Sequence, residues 1–121
     1  MTTVNQSSNQ VIYKIVDADQ WALAKEQGEF AGAAIDLEDG YIHFSNAQQV
    51  KETVSKHFAG QSNLLIVTVD PEKLGDALKW EASRGGDLFP HLYGNLSFDC
   101  VQSVDDLPIG KNGEHLFPGA L

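Results

Sequence analysis

The run "NLLIVTV", residues 63–69, constrains this chain most. It is almost continuously apolar and rich in β-branched residues, without the alternation of a strand that faces water on one side. That pattern reads as a central strand covered on both faces. Such a strand needs layers of structure around it. A chain of 121 residues can supply them as one domain with a real core, and is too short for two comfortable ones. "VIYKIV", residues 11–16, supplies a second buried strand. Its Lys14 either points into a polar cavity or snorkels out at a sheet edge.

The remaining elements follow from caps and periodicity. Asp17 or Asp19 caps a helix that runs to about Gln27, with Trp21 and Ala24 on one face and Gly28 as its stop. "FAGAAIDLEDG" reads as a loop or irregular strand ending in an Asp39-Gly40 turn. "YIHFS" is a short strand. Ser45 then caps the clearest helix, with Gln48 completing a capping box and Ala47, Val50, Val54 and Phe58 along one face. Asp70-Pro71 starts a short turn through Leu74 that stops at Gly75. "ALKWEAS" is a strand with Leu78 and Trp80 facing one way and Lys79 and Glu81 the other. "RGGDLFPHLYGN" reads as a loop, and "FDCVQSV" as a half-buried strand. Residues 1–10 are expected as a disordered leader, 11–109 as a single globular domain and 110–121 as an irregular tail. Strands and helices do not alternate strictly, so the fold class is α+β with a mostly antiparallel or mixed sheet.

The composition excludes several function classes. The apolar share of 42% and charged share of 21% are those of an ordinary soluble protein. No apolar stretch approaches the roughly 20 residues that span a bilayer, and the polar start "MTTVNQSSNQ" lacks the pattern of a signal peptide. The single cysteine, Cys100, points to a reducing cytoplasm and reads as a small core residue. The net charge of −9 argues against non-specific binding of nucleic acid or an anionic membrane. A local pocket for one small anion remains compatible with it. There is no phosphate-binding P-loop, no GxGxxG and no closely spaced histidine pair, so no metal site is expected.

The residues with chemical potential are few. Alternation places Tyr41, His43 and Ser45 on one side of "YIHFS", with Ile42 and Phe44 toward the core. An imidazole held at a strand end serves either as a binding or acid–base group or as a structural hydrogen-bond partner. His91, in "LFPHLYG", follows Pro90 and shares its side with Tyr93; it either packs the loop onto the core or faces a cleft. Arg84, beside Gly85-Gly86, is a candidate anion clamp or a solvated side chain. Glu81 is a candidate carboxylate or an outward strand residue.

Together "IYKI", "DGYIHFSNAQQV", "LKWE" and "LFPHLYG" resemble a family of small bacterial proteins, domain of unknown function family 952, over about Val11 to Leu107. Its fold is similar to the ADP-ribosyltransferase-like fold, which includes NAD-using transferases and RNA 2′-phosphotransferases. The resemblance implies two small, bent, mixed or antiparallel sheets with a cleft between them and two to three helices. In such enzymes a first strand offers His or Arg to NAD; Lys14 stands there in this chain. A second strand offers His43 and Ser45, and a later position, Glu81 or the "FPHLY" loop, completes the set. The expectation is a cleft for a small anionic or nucleotide-like ligand, with NAD a candidate cofactor. His43 and His91 are the catalytic candidates. Lys14, Ser45, Glu81, Arg84 and Tyr93 are the ligand-binding ones. The alternative is a non-catalytic protein-interaction module on the same fold. The sequence leaves the oligomeric state open.

Overall fold

The computed structural model describes residues 10–119 and 121, apart from the Arg84 side chain. The expected leader falls, except for Gln10, outside the described residues. The apolar run becomes β4 (Leu64–Val69), the middle of a sheet ordered β1-β4-β8 with β1 (Ile12–Asp17) and β8 (Val101–Asp106). Both pairings are antiparallel, with Ile12 opposite Val69 and Leu65 opposite Asp106. The strand's alternation divides the interior in two. Val67 and Val69 join Ile12, Val16, Ile42, Phe44 and Leu92 on one face. Leu64 and Ile66 join Ile15, Val50, Val54 and Leu107 on the other. A residue as fully enclosed as Val67 or Ile66 contributes about 1.5–3 kcal/mol through burial. The covered-on-both-faces reading of this strand therefore holds.

Helix α1 (Ala18–Gln27) begins where Asp17 accepts from the Gln20 N–H and ends as Gly28 donates to the Ala24 carbonyl. Its Trp21 and Ala24 are buried. The indole packs edge-on against Phe98 and tilted against Phe30. Phe30 belongs to β2 (Glu29–Phe30), which pairs with β7 (Leu96–Ser97). This two-stranded piece adds to the pair of sheets expected from the sequence.

The second three-stranded sheet is ordered β3-β6-β5, from β3 (Ile42–His43), β6 (Leu88–Leu92) and β5 (Leu78–Ala82). Its middle strand lies in the segment expected to be a loop. Proline suggests a strand edge because it cannot donate to a ladder, and β6 contains Pro90 in its centre. The structure accommodates it by ending the β3 ladder there. Phe44 N–H donates to the Pro90 carbonyl at 2.9 Å, and the reciprocal bond has no donor. The chain then leaves β6 and crosses to β1, where Tyr13 and Ser45 exchange backbone bonds of 2.8 and 2.9 Å. This crossing stitches the two sheets together.

Other boundaries are corrected. "AIDLED" is not loop but helix α2 (Ala34–Asp39), and Gly40, at φ 89°, is its left-handed cap rather than a hairpin turn. Helix α3 (Val50–His57) starts later than expected. The reciprocal cap is formed by Asn46 and Gln49, not by Ser45 and Gln48: Asn46 N–H donates to Gln49 Oε1 at 3.0 Å, and Gln49 N–H to Asn46 Oδ1 at 2.9 Å. The helical turn after Asp70 extends past Gly75, as a 3-10 segment Pro71–Ala77 broken at that glycine. Cys100 is a buried core residue as expected, yet it ends a 3-10 turn, Phe98–Cys100, instead of lying mid-strand. Beyond β8, Ile109 bridges to His115, and Phe117 and Leu121 pack on the second core. The fold is α+β, with every strand pairing among the described residues antiparallel. No described helix is long and apolar enough to cross a membrane.

Candidate active site

Register places the polar side chains of the second sheet on one face. His43 lies opposite His91, and His91 opposite Lys79. Strand alternation then puts Tyr41, Tyr93 and Glu81 on that same side, while Ile42, Phe44 and Leu92 enter the core. The face opens on a cavity of about 500 Å³, bounded by Lys14 of β1, Asp39 of α2, His43, Ser45, His57 of α3 and His91. Tyr41 stacks on the His91 ring at 4.2 Å between centroids and leans on His43 at 4.8 Å; the two imidazoles meet edge-on at 5.4 Å.

Beneath this wall lies Asp36, a residue the sequence reading passed over. It is 1% exposed and accepts from every side. Lys14 Nζ lies 3.0 Å from Oδ1 and 2.9 Å from Oδ2. Ala33 N–H reaches Oδ2 at 2.8 Å, His43 N–H reaches Oδ1 at 3.1 Å, and His43 Nδ1 lies 2.7 Å from the same oxygen. Burial by itself would raise this carboxyl. The His43 bond, the charge and hydrogen bond of Lys14, and the Ala33 N–H outweigh it and hold the group at about 2. Lys14 faces the interior with Ile12 and Val16, which decides against the snorkelling alternative. Burial draws its ammonium below the ordinary lysine value, against the pull of Asp36. The signal that could have pointed to Asp36 was Lys14 itself, because a lysine that stays buried in an apolar strand requires an anionic partner.

His43 is held at both nitrogens. Nδ1 meets Asp36, and Nε2 meets Asp39 Oδ2 at 3.0 Å. Two carboxylate oxygens on one ring use every donor of its doubly protonated form. His91 is held at one. Its Nδ1 lies 2.8 Å from Glu81 Oε1, and the Tyr93 hydroxyl donates to both Glu81 oxygens at 2.9 and 3.1 Å. The His91 bond first, and then that of Tyr93, keeps the Glu81 carboxyl below its ordinary value; the same contact raises the Tyr93 phenol. An ionised carboxylate only accepts, so Nδ1 of His91 carries a proton and Nε2 keeps a lone pair in the neutral ring.

The sequence-derived candidates thus separate into groups. Lys14, His43, Ser45 and His91 line one cavity, and Glu81 and Tyr93 stand behind His91. Ser45 Oγ bonds Thr53 Oγ1 at 2.9 Å, tying the strand end to α3. Lys14 is committed to Asp36, so its ammonium is not a free anion-binding cation. Arg84 opens the 3-10 turn Arg84–Gly86, directly after the cavity residue Ser83; its side chain lies outside the described residues. Among the described residues no group of three or more His, Cys, Asp or Glu is placed to hold a metal ion.

The family model described as "Protein of unknown function (DUF952)" matches residues 15–104. The chain is 48% identical to protein CC0527 from Caulobacter crescentus, with a TM-score of 0.84 to its crystal structure over 88% of this chain and 93% of that one. The solution NMR structure of CC0527 gives 49% identity and a TM-score of 0.78, over 86% and 90% of the two chains. No curated protein matches. The matched span takes in His43 and His91, Lys14's neighbour Ile15 and the buried Asp36, and the chain belongs to the DUF952 family.

Proposed function

We propose that the cavity binds a small nucleotide-like ligand, a planar ring carrying an anionic group, and that His91 is its acid–base residue. The Glu81–His91 pair carries this reading. A buried imidazole, fixed in one tautomer by a carboxylate, has a single nitrogen left to exchange a proton. When Nε2 takes a proton, Glu81 stabilises the imidazolium that forms. The cavity's size suits a small molecule, and its walls combine aromatic side chains such as Tyr41, Phe44 and Phe89 with the polar groups of His43, Ser45 and His91. Tyr41, flat against His91, keeps the ring from turning.

The resemblance to ADP-ribosyltransferase-like folds extends the proposal to group transfer, of an ADP-ribosyl or phosphoryl group. It is supported by His43 of β3 and by Ser45 just beyond it, both beside the cavity, and by the antiparallel sheets that meet there. NAD fits these residues poorly, because the first-strand cation that would grip it, Lys14, is already paired with Asp36. Phosphorylated mononucleotides are the favoured class. A single buried cysteine, Cys100, suits a cytoplasmic setting for this role.

Calorimetric titration with AMP, ADP and 2′-phosphorylated nucleotides tests the reading. The parent protein is expected to bind at least one of them, and His91→Gln to lose at least tenfold in affinity while keeping its circular dichroism spectrum. The competing reading, a non-catalytic interaction module, draws on Ile35 and Leu37, exposed on α2 beside the cavity. It gains if no nucleotide binds at millimolar concentration.

A further inference from the structure

Resting on the reading of the cavity as a nucleotide-like site, we propose that the Asp39 carboxylate occupies the subsite of the ligand's anionic group and gives way when the ligand binds. The two carboxylates on His43 are not equivalent. Asp36 is enclosed and fixed by contacts from Lys14, Ala33 and His43. It grips both the ring and the backbone N–H of His43, so the imidazole cannot swing away. Asp39 is 39% exposed at its side chain and holds the outer nitrogen, Nε2, at 3.0 Å. Both Asp39 and His43 border the cavity.

A carboxylate oxygen and a phosphate oxygen make the same short, charge-assisted bond to an imidazole N–H. The outer position on His43 is therefore an anion site with a built-in occupant. The occupant is also weakly placed. Asp39 is the last residue of α2, at the end where helix carbonyls disfavour negative charge. Exchange of Asp39 for a ligand phosphate leaves His43 with two anionic partners, as before. No net charge is stranded at the buried end of the site, because Asp36 keeps its own partners. The arrangement admits ligands whose anion reaches Nε2 while their ring enters the cavity, and it screens out free anions that offer no more than Asp39 does.

The test uses AMP as probe, adenosine as its uncharged counterpart, and calorimetry on the full chain. Asp39→Asn is expected to tighten AMP binding roughly three- to fivefold, the upper part of the range for a partly exposed ion pair, and to leave adenosine unchanged. Asp39→Ser, which lacks even a neutral amide acceptor, is expected to give at least the same gain. Glu38→Gln, an exposed change of equal charge on the same helix, is expected to alter AMP binding less than about twofold. In a His43→Gln background, Asp39→Asn is expected to gain nothing. AMP binding to the parent with no gain in Asp39→Asn, or an equal gain in Glu38→Gln, overturns this inference alone. Failure of AMP to bind the parent and Asp39→Asn alike overturns the nucleotide reading and this inference with it.

Discussion

Replacing Asp36 by asparagine removes the charge that neutralises Lys14 inside the protein. The parent carboxylate receives five contacts within 3.1 Å, from Lys14, Ala33 and His43. Breaking one side of such a buried pair costs about 3–5 kcal/mol, because the remaining charge has neither water nor a partner. A domain's whole stability is about 5–15 kcal/mol, so the loss is a large fraction of it. For a chain of this length that corresponds to a fall in Tm of roughly 10–20 °C. Adding Lys14→Met removes the stranded ammonium. Ala33 bonds Oδ2 and His43 bonds Oδ1. The single asparagine oxygen therefore keeps only one of these sets, and the double variant is expected to recover part of the loss but not all of it. Urea unfolding followed by circular dichroism measures all members of the cycle. An Asp36→Asn protein within about 1 kcal/mol of the parent, or a double variant no more stable than Asp36→Asn, refutes the reasoning.

Acid stability reads the same residue. The folded carboxyl lies at about 2, below its ordinary 3.8, so its contribution is complete above the ordinary value and is lost as pH falls from about 4 to 2. The lost part is about 2 kcal/mol, and Asp36→Asn is expected to lack that step in an acid-denaturation profile. Gly32 has φ +121°, and a Cβ there would lie 2.8 Å from Asp36 Cβ. Gly32→Ala is therefore expected to cost at least about 1–2 kcal/mol in urea unfolding. In Glu81→Gln the Tyr93 phenol loses the anionic acceptor that raises it, and ultraviolet titration is expected to show it moving down toward an ordinary tyrosine.

Elements whose burial follows their periodicity were legible from the sequence: β1, α1 with a cap at Asp17 or Asp19, of which Asp17 serves, and β4. Helix α2 was not, for a physical reason. Its apolar Ile35 and Leu37 face solvent while its acidic Asp36 is buried, the inverse of the pattern by which a surface helix announces itself. Strand β6 was hidden by Pro90, whose lost donor matters little because the β3 ladder stops beside it. The site was legible in part. Alternation along "YIHFS" correctly put Tyr41, His43 and Ser45 on one side. The long-range partners Asp36 and Glu81 depend on register and on a crossing between sheets, which local spacing does not encode.

The most direct test of the site is a nitrogen-15 NMR titration of the imidazoles with AMP, whose ring signals report each nitrogen separately. In the free protein His91 is expected to carry its proton on Nδ1, facing Glu81. On addition of AMP, Nε2 of His91 and Nε2 of His43 are expected to shift, while His115, bonded to the Gln61 carbonyl away from the cavity, stays still. Unmoved His43 and His91 signals at millimolar AMP, or a free His91 protonated on Nε2 alone, contradict the assignment of this cavity as a nucleotide-like binding site with His91 as its acid–base group.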